Sequence, residues 1–211
     1  MIKETREVTG FTGVALSVPA NVYVEQGSAF SVVVEGPENA LKEIETVLDG
    51  STLEIKWKSK WFNWKGDDDL KVYITAPTFT ELSIAGSGGF FAKSALKVGD
   101  LNLAIAGSGD MVLENIEAGG LKASIAGSGD IKLNGGKSTT LSASISGSGS
   151  IFAAGIETTD AKVRIAGSGD CTVNASGKLD AAISGSGDIK YKGAPQLSAK
   201  VSGSGEIEQM K

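Results

Sequence analysis

Histidine is absent from the 211 residues, and cysteine occurs once, as Cys171. Without imidazole there can be no histidine metal site, no Ser-His triad and no histidine general base. A single thiol cannot close a disulfide within the chain or build a multi-thiolate zinc site. Clustered positive charge is also missing: 20 Lys and Arg against 25 Asp and Glu give a formal net charge of -5. Such a balance disfavours nucleic acid as a partner, because polyphosphate is bound by clustered Lys and Arg. No apolar run approaches the ~18 residues of a transmembrane segment, and no basic stretch followed by an apolar one opens the chain. "MIKETREVTGF" reads instead as the start of a folded segment.

Glycine is abundant, and its placement is periodic. A Gly-Ser-Gly triplet begins at Gly86, Gly107, Gly127, Gly147, Gly167, Gly185 and Gly203, with separations of 21, 20, 20, 20, 18 and 18 residues. Two residues before each triplet stand Ile84, Ile105, Ile125, Ile145, Ile165, Ile183 and Val201. Four before are Leu82, Leu103, Ala123, Ala143, Val163, Ala181 and Ala199. Small or polar residues alternate with these, which predicts a strand with one buried face. The alternation resumes after each triplet, as in Met111 and Leu113 or Ile131 and Leu133. Each repeat therefore reads as strand, tight corner, second strand, loop.

A unit of about twenty residues cannot bury its apolar face alone, so the units must stack. The expected fold is all-β: a right-handed parallel β-helix, or solenoid, of about 20-residue coils with a β-rich N-terminal cap containing one short helix. The triplet glycines, Gly86 and Gly88, Gly107 and Gly109, Gly127 and Gly129, Gly147 and Gly149, Gly167 and Gly169, Gly185 and Gly187, Gly203 and Gly205, are its corners. Glycine suits a corner that needs positive φ or a close backbone approach. A phosphate cradle would need a helix after the glycines, and here a strand follows each time.

Residues 1–78 lack the triplet and form the expected cap; residues 79–211 form the repeat, the two making one continuous unit. In "GPENALKEIETVLDG", Pro37 marks a helix start, and Leu41, Ile44, Val47 and Leu48 share a helical face, so a helix is expected near 37–48. No comparable cap is evident at the other end, where "EIEQMK" follows the last corner. An open solenoid end or edge invites self-association into a homo-oligomer.

Four features are candidates for chemistry. Asp110, Asp130, Asp170 and Asp188 follow their triplets, and stacking would make them a broken carboxylate ladder. Such a ladder needs water, backbone amides or a cation; weak calcium binding is the one cofactor that it suggests. "KWKSKWFNWKGDDD" holds all three tryptophans. Trp57 continues a strand alternation, whereas Trp61, Phe62 and Trp64 lie beyond it among lysines, as a ligand-binding tip or as packing. Outward positions of the repeat are small, as at Ala104, Ser124, Ser142, Ser144, Ala182 and Ser198, with charge only at Lys162, Arg164, Asp180 and Lys200. No catalytic constellation emerges from them. Cys171 replaces an interior Ile or Met and reads as a small buried hydrophobe.

The ordered segments "FTGVALSVPANVYVEQG", "STLEIKWK" and "LKVYITAPTFTELSIAGSGGF", leading into the triplet array, resemble the auto-transporter adhesin head GIN domain family of bacterial, largely Bacteroidetes, proteins. The resemblance covers nearly the whole chain and supplies no catalytic residues. It implies an exported cell-envelope or surface protein, often made from a lipoprotein-type precursor, with any leader already removed. The expected function is a non-enzymatic, adhesin-like solenoid that binds glycan or protein at the cell surface. The alternative is a polysaccharide-active enzyme, a lyase or hydrolase, that uses outward carboxylates and Arg164.

Overall fold

A computed structural model of the chain describes residues 1–59 and 70–210. In chain order the elements are β1 (Ile2–Thr5), β2 (Gly13–Leu16), β3 (Ala20–Gln26), β4 (Ser31–Gly36), α1 (Glu38–Glu43), β5 (Ile44–Asp49), β6 (Thr52–Trp57), β7 (Leu70–Ala76), β8 (Glu81–Gly86) and β9 (Gly89–Ala92). The repeat continues through β10 (Leu96–Gly107), β11 (Asp110–Leu113), β12 (Ile116–Gly127), β13 (Asp130–Leu133), β14 (Gly136–Gly147), β15 (Ser150–Gly167), β16 (Cys171–Gly185), β17 (Ile189–Lys192), β18 (Gln196–Gly203) and β19 (Ile207–Gln209). Together they form a β-solenoid of about six turns of roughly 20-residue coils.

The apolar columns of the repeat stack in register. Leu101 pairs with Leu121, Leu103 with Ala123 and Ile105 with Ile125, and the next coil continues each column with Leu141, Ala143 and Ile145. All of these side chains are buried. Each Ile or Leu so enclosed stabilises the fold by roughly 1.5–3 kcal/mol relative to exposure, so like residues stacked on like make a core out of coils that have none singly.

The coil has three faces. One ends at the triplet, and a second begins after it, as in β11 and β13. The segment between successive pairs, expected to be loop, is a third parallel face: Leu96 pairs with Ile116, and Gly136 with Ile156. Leu96, Ile116 and Ile156 point into the core. Farther along this face the buried Ser138 hydroxyl donates to that of Thr158 at 3.2 Å. The face is only about three residues wide, too short for the alternation to stand out in sequence.

The N-terminal segment does more than cover an end. β2 pairs in parallel with β6 on one side and with β8 on the other, and β3 lies likewise between β7 and β9. The coil met first in the chain is therefore second in the stack, and the later coil made by β6 and β7 lies outside it. Closure comes from reversed strands: β4 runs antiparallel along β7, β5 along β6, and β1 along β4. A reversed strand ends a parallel stack because its register cannot be continued by another coil.

The expected helix is shorter than its apolar spacing suggested. It covers Glu38–Glu43 and buries Ala40 and Leu41, while Ile44–Asp49 is strand. The run Ile44-Glu45-Thr46-Val47 is rich in β-branched residues, and the edge of β6 offers it a full set of backbone partners. Pairing along that edge outweighs the helical face, and Leu48 is left exposed.

Candidate functional site

The triplet corners hold 14 of the 29 glycines. At Gly127 φ is +139°, and a Cβ there would lie 2.1 Å from the carbonyl oxygen of Gly107 in the preceding coil. Gly129 has no such φ, but its Cβ would fall 1.9 Å from the carbonyl oxygen of Gly109. The first glycine of the triplet thus meets two demands and the second meets one. Between them, the Ser128 amide donates to Gly107 O at 2.9 Å, carrying the hydrogen-bond ladder round the bend.

The aspartate after the triplet belongs to the same device. Asp110 Oδ1 accepts the Asp130 amide at 3.0 Å, and Asp130 Oδ1 accepts the Ser150 amide at 3.1 Å. Asp170 and Asp188 do the same for the amides of Asp188 and Glu206, each at 2.9 Å. Each carboxylate satisfies the equivalent amide one coil on, not an amide of its own turn. A second corner repeats the arrangement without any triplet: Asp100 accepts from Gly120 and Asp160 from Lys178. Among the described residues no group of three or more Asp, Glu, Cys or His is placed to hold a metal ion.

A stability measurement can weigh these two roles. Asp130→Ala removes an acceptor from the Ser150 amide, and its expected cost is about 1–2 kcal/mol. The same loss should appear in denaturant titrations with excess calcium and with chelator. A loss confined to the calcium-containing sample would assign the carboxylate to a cation instead.

Cys171 is buried, and burial first, then the neighbouring Asp170 charge, pushes its thiol up to about 12. It is thus held as a neutral thiol, a packing group rather than a nucleophile.

Outward from the second face runs a ladder that sequence inspection missed. Tyr73, Tyr23 and Phe91 come from β7, β3 and β9, far apart in the chain and adjacent only through register. Their ring centroids are 5.3 and 5.5 Å apart with interplanar angles of 17° and 30°. Tyr23 lies between the other two rings, and the Lys3 ammonium sits 5.3 Å over the Tyr73 ring, so the stack presents mainly ring edges to solvent. Glu25, Thr75, Lys93 and Ser94 lie beside the rings and complete a shallow groove of about 280 Å³. The available signal was an aromatic at an outward strand position in "NVYVEQG", "LKVYITAP" and "GGFFAK".

Trp61, Phe62 and Trp64 lie outside the described residues. Their segment connects β6 to β7, the position where the repeat coils carry only Gly-Ser-Gly. Trp57, at the end of β6, is partly buried against the core.

Arg164, the candidate cation of an enzymatic reading, is already engaged. Its guanidinium donates to the backbone carbonyls of Val163 and Asp180 and to Asp180 Oδ2. That hydrogen bond, with the guanidinium charge, holds the Asp180 carboxyl below its ordinary value.

A family model described as "putative auto-transporter adhesin, head GIN domain" matches residues 10–195. The chain belongs to this family. Among solved structures similar to this head GIN domain protein, the crystal structure of a "putative adhesin" from Bacteroides fragilis aligns with a TM-score of 0.95 at 27% identity, covering 99% of this chain and 96% of the other. A "putative lipid binding protein" from Parabacteroides distasonis aligns with a TM-score of 0.76 at 29% identity, covering 99% and 97%. A "putative adhesin" from Parabacteroides merdae, at 24% identity and TM-score 0.78, covers 100% and 96% and shares the fold. Comparison with curated proteins gives no match. Family and neighbours support an adhesin-like surface protein, and no helix among the described residues is long and apolar enough to cross a membrane.

Proposed function

We propose that this head GIN domain protein is a non-enzymatic, exported adhesin-like module that binds glycan on the N-terminal half of its second face. The observation that carries this reading is the aromatic ladder Tyr73, Tyr23 and Phe91 beside Glu25 and Lys93. The half-buried ring edges offer apolar surface to a sugar, while a carboxylate, an ammonium and hydroxyls nearby can meet its hydroxyl groups. Trp61, Phe62 and Trp64, in the sequence between β6 and β7, are proposed as further ligand-binding residues. Protein is the other ligand class that an adhesin of this kind can take.

The enzymatic alternative is disfavoured by the use that the fold makes of Arg164: three of its five N–H donors are engaged by Asp180 Oδ2 and by the Val163 and Asp180 carbonyls. A glycan array probed with the wild type and with a Trp61→Ala, Trp64→Ala double variant tests the proposal. Loss of binding by about 10-fold or more is expected without a change in melting temperature. Release of oligosaccharide from an acidic polymer, abolished by Arg164→Ala, would overturn it.

A further inference from the structure

The two ends of the solenoid differ. At the N-terminal end, α1 and the reversed strands β4 and β5 close the stack, with Leu41 and Ile44 buried. In the last described coil the core side chains are exposed. Leu197 and Val201 occupy the same columns as Leu179 and Ile183, yet they are 41% and 44% exposed against 1% and 2%. Among the described residues β18 pairs with β16 alone and β19 with β17 alone, so each leaves one strand edge unpaired there. An apolar core end beside two free edges is a template for further pairing.

We infer that this end is the interface of a two-fold, tail-to-tail dimer with a second copy of the chain. A head-to-tail stack of parallel coils is not available on β6 and β7, whose outer edges β5 and β4 already occupy. A two-fold axis through the Ser204 corner is compatible with the strand directions: β18 runs toward the corner and β19 away from it. Rotation therefore places β19 of the second copy antiparallel over β18, and the reverse.

Centring the register on Ser204 sets Val201 opposite Ile207 of the second copy and Lys200 opposite its Glu208. Val201 and Ile207 both lie in inward columns, continuing Ile183 and Ile189. Lys200 and Glu208 both lie on the outer surface, and neither forms an ion pair among the described residues. A single register thus joins apolar to apolar and opposite charge to opposite charge, twice, which is the self-complementarity that a two-fold interface demands.

The size of the end sets the strength. β18 has 8 residues and β19 has 3, so at ~3.3 Å per residue the two strands run about 26 Å and 10 Å, and as two sides of a three-faced coil they enclose on the order of 130 Å². A standard interface buries about 800 Å² per partner. The dimer is therefore expected to be reversible and dependent on concentration.

Sedimentation velocity on the full chain, from about 5 µM to about 500 µM, should show the 21.5 kDa monomer converting to a species of twice that mass. Val201→Lys, at a position already exposed, should weaken association by about 10-fold or more with an unchanged circular dichroism spectrum. Lys200→Glu and Glu208→Lys should each weaken it, and the double exchange should restore most of it. That restoration reports the register itself and does not depend on how Val201→Lys folds. A wild type that stays monomeric throughout, as it would were the end reserved for a different partner, overturns the inference. So does a dimer that none of these variants weakens.

Discussion

Gly129→Ala should destabilise the protein by about 3 kcal/mol or more, a drop in melting temperature of roughly 6–12 °C for a chain of this size. The added methyl would lie 1.9 Å from Gly109 O, 3.0 Å from Gly109 C and 3.1 Å from Ile105 Cγ2. Two of these atoms are backbone, and that backbone is held by ladder hydrogen bonds on both sides of the corner, including the Asp130 amide on Asp110. Nothing flexible is available to give way, so the coils must separate locally. Gly99→Ala is the matched control, because no atom lies within 4 Å of its added Cβ and its φ is not left-handed. The control should fall within about 0.5 kcal/mol of the wild type. Differential scanning calorimetry on both variants decides the matter, and equal melting temperatures would refute the close-packed corner.

Phe90→Ala should cost about 3–5 kcal/mol, whereas Phe91→Ala should cost about 1 kcal/mol or less. The two residues are neighbours in the chain and face opposite ways. Phe90 is fully buried and sits between Val22 and Met111 in an interior column, so its removal leaves a cavity enclosed by two coils. Phe91 points outward at the end of the aromatic stack, and its truncation leaves a gap that water can enter. In glycan binding the order should reverse, with Phe91→Ala the more damaging of the two at a temperature where both remain folded. Urea titration followed by binding at matched folded fraction checks both halves. If the two variants lose equal stability, the inside and outside assignments of this strand are wrong.

The solenoid was legible because its signal is local and repeated. Period-two alternation marks which side of a strand is buried, and the twenty-residue spacing marks how strands superimpose. The Ile105, Ile125 and Ile145 columns are one consequence of each, and they stack as expected. Isolated features were less legible. Ile44 to Leu48 satisfied a helical spacing and became strand, because the free edge of β6 is invisible in the five residues themselves. The third face escaped notice because three residues are too few to show a period. For Asp110, Asp130, Asp170 and Asp188 the sequence leaves water, backbone amides and a cation as candidate partners, since sequence distance hides an amide that lies one coil away.

By itself the sequence determined the class of fold, the register of its repeats, the corner role of Gly-Ser-Gly and the interior place of Cys171. These follow from steric and hydrophobic demands that act within a coil or between identical coils. Only the tertiary structure decided that the first coil of the chain lies second in the stack and that Tyr73, Tyr23 and Phe91 meet. It also decided that Leu197 and Val201 are exposed while Leu179 and Ile183 are buried. The physical reason is common to all three: the same side chain in the same strand pattern is core, ladder or open surface according to which strand lies beside it, and in the N-terminal coils and at the last coil that neighbour is not the one a simple repeat would supply.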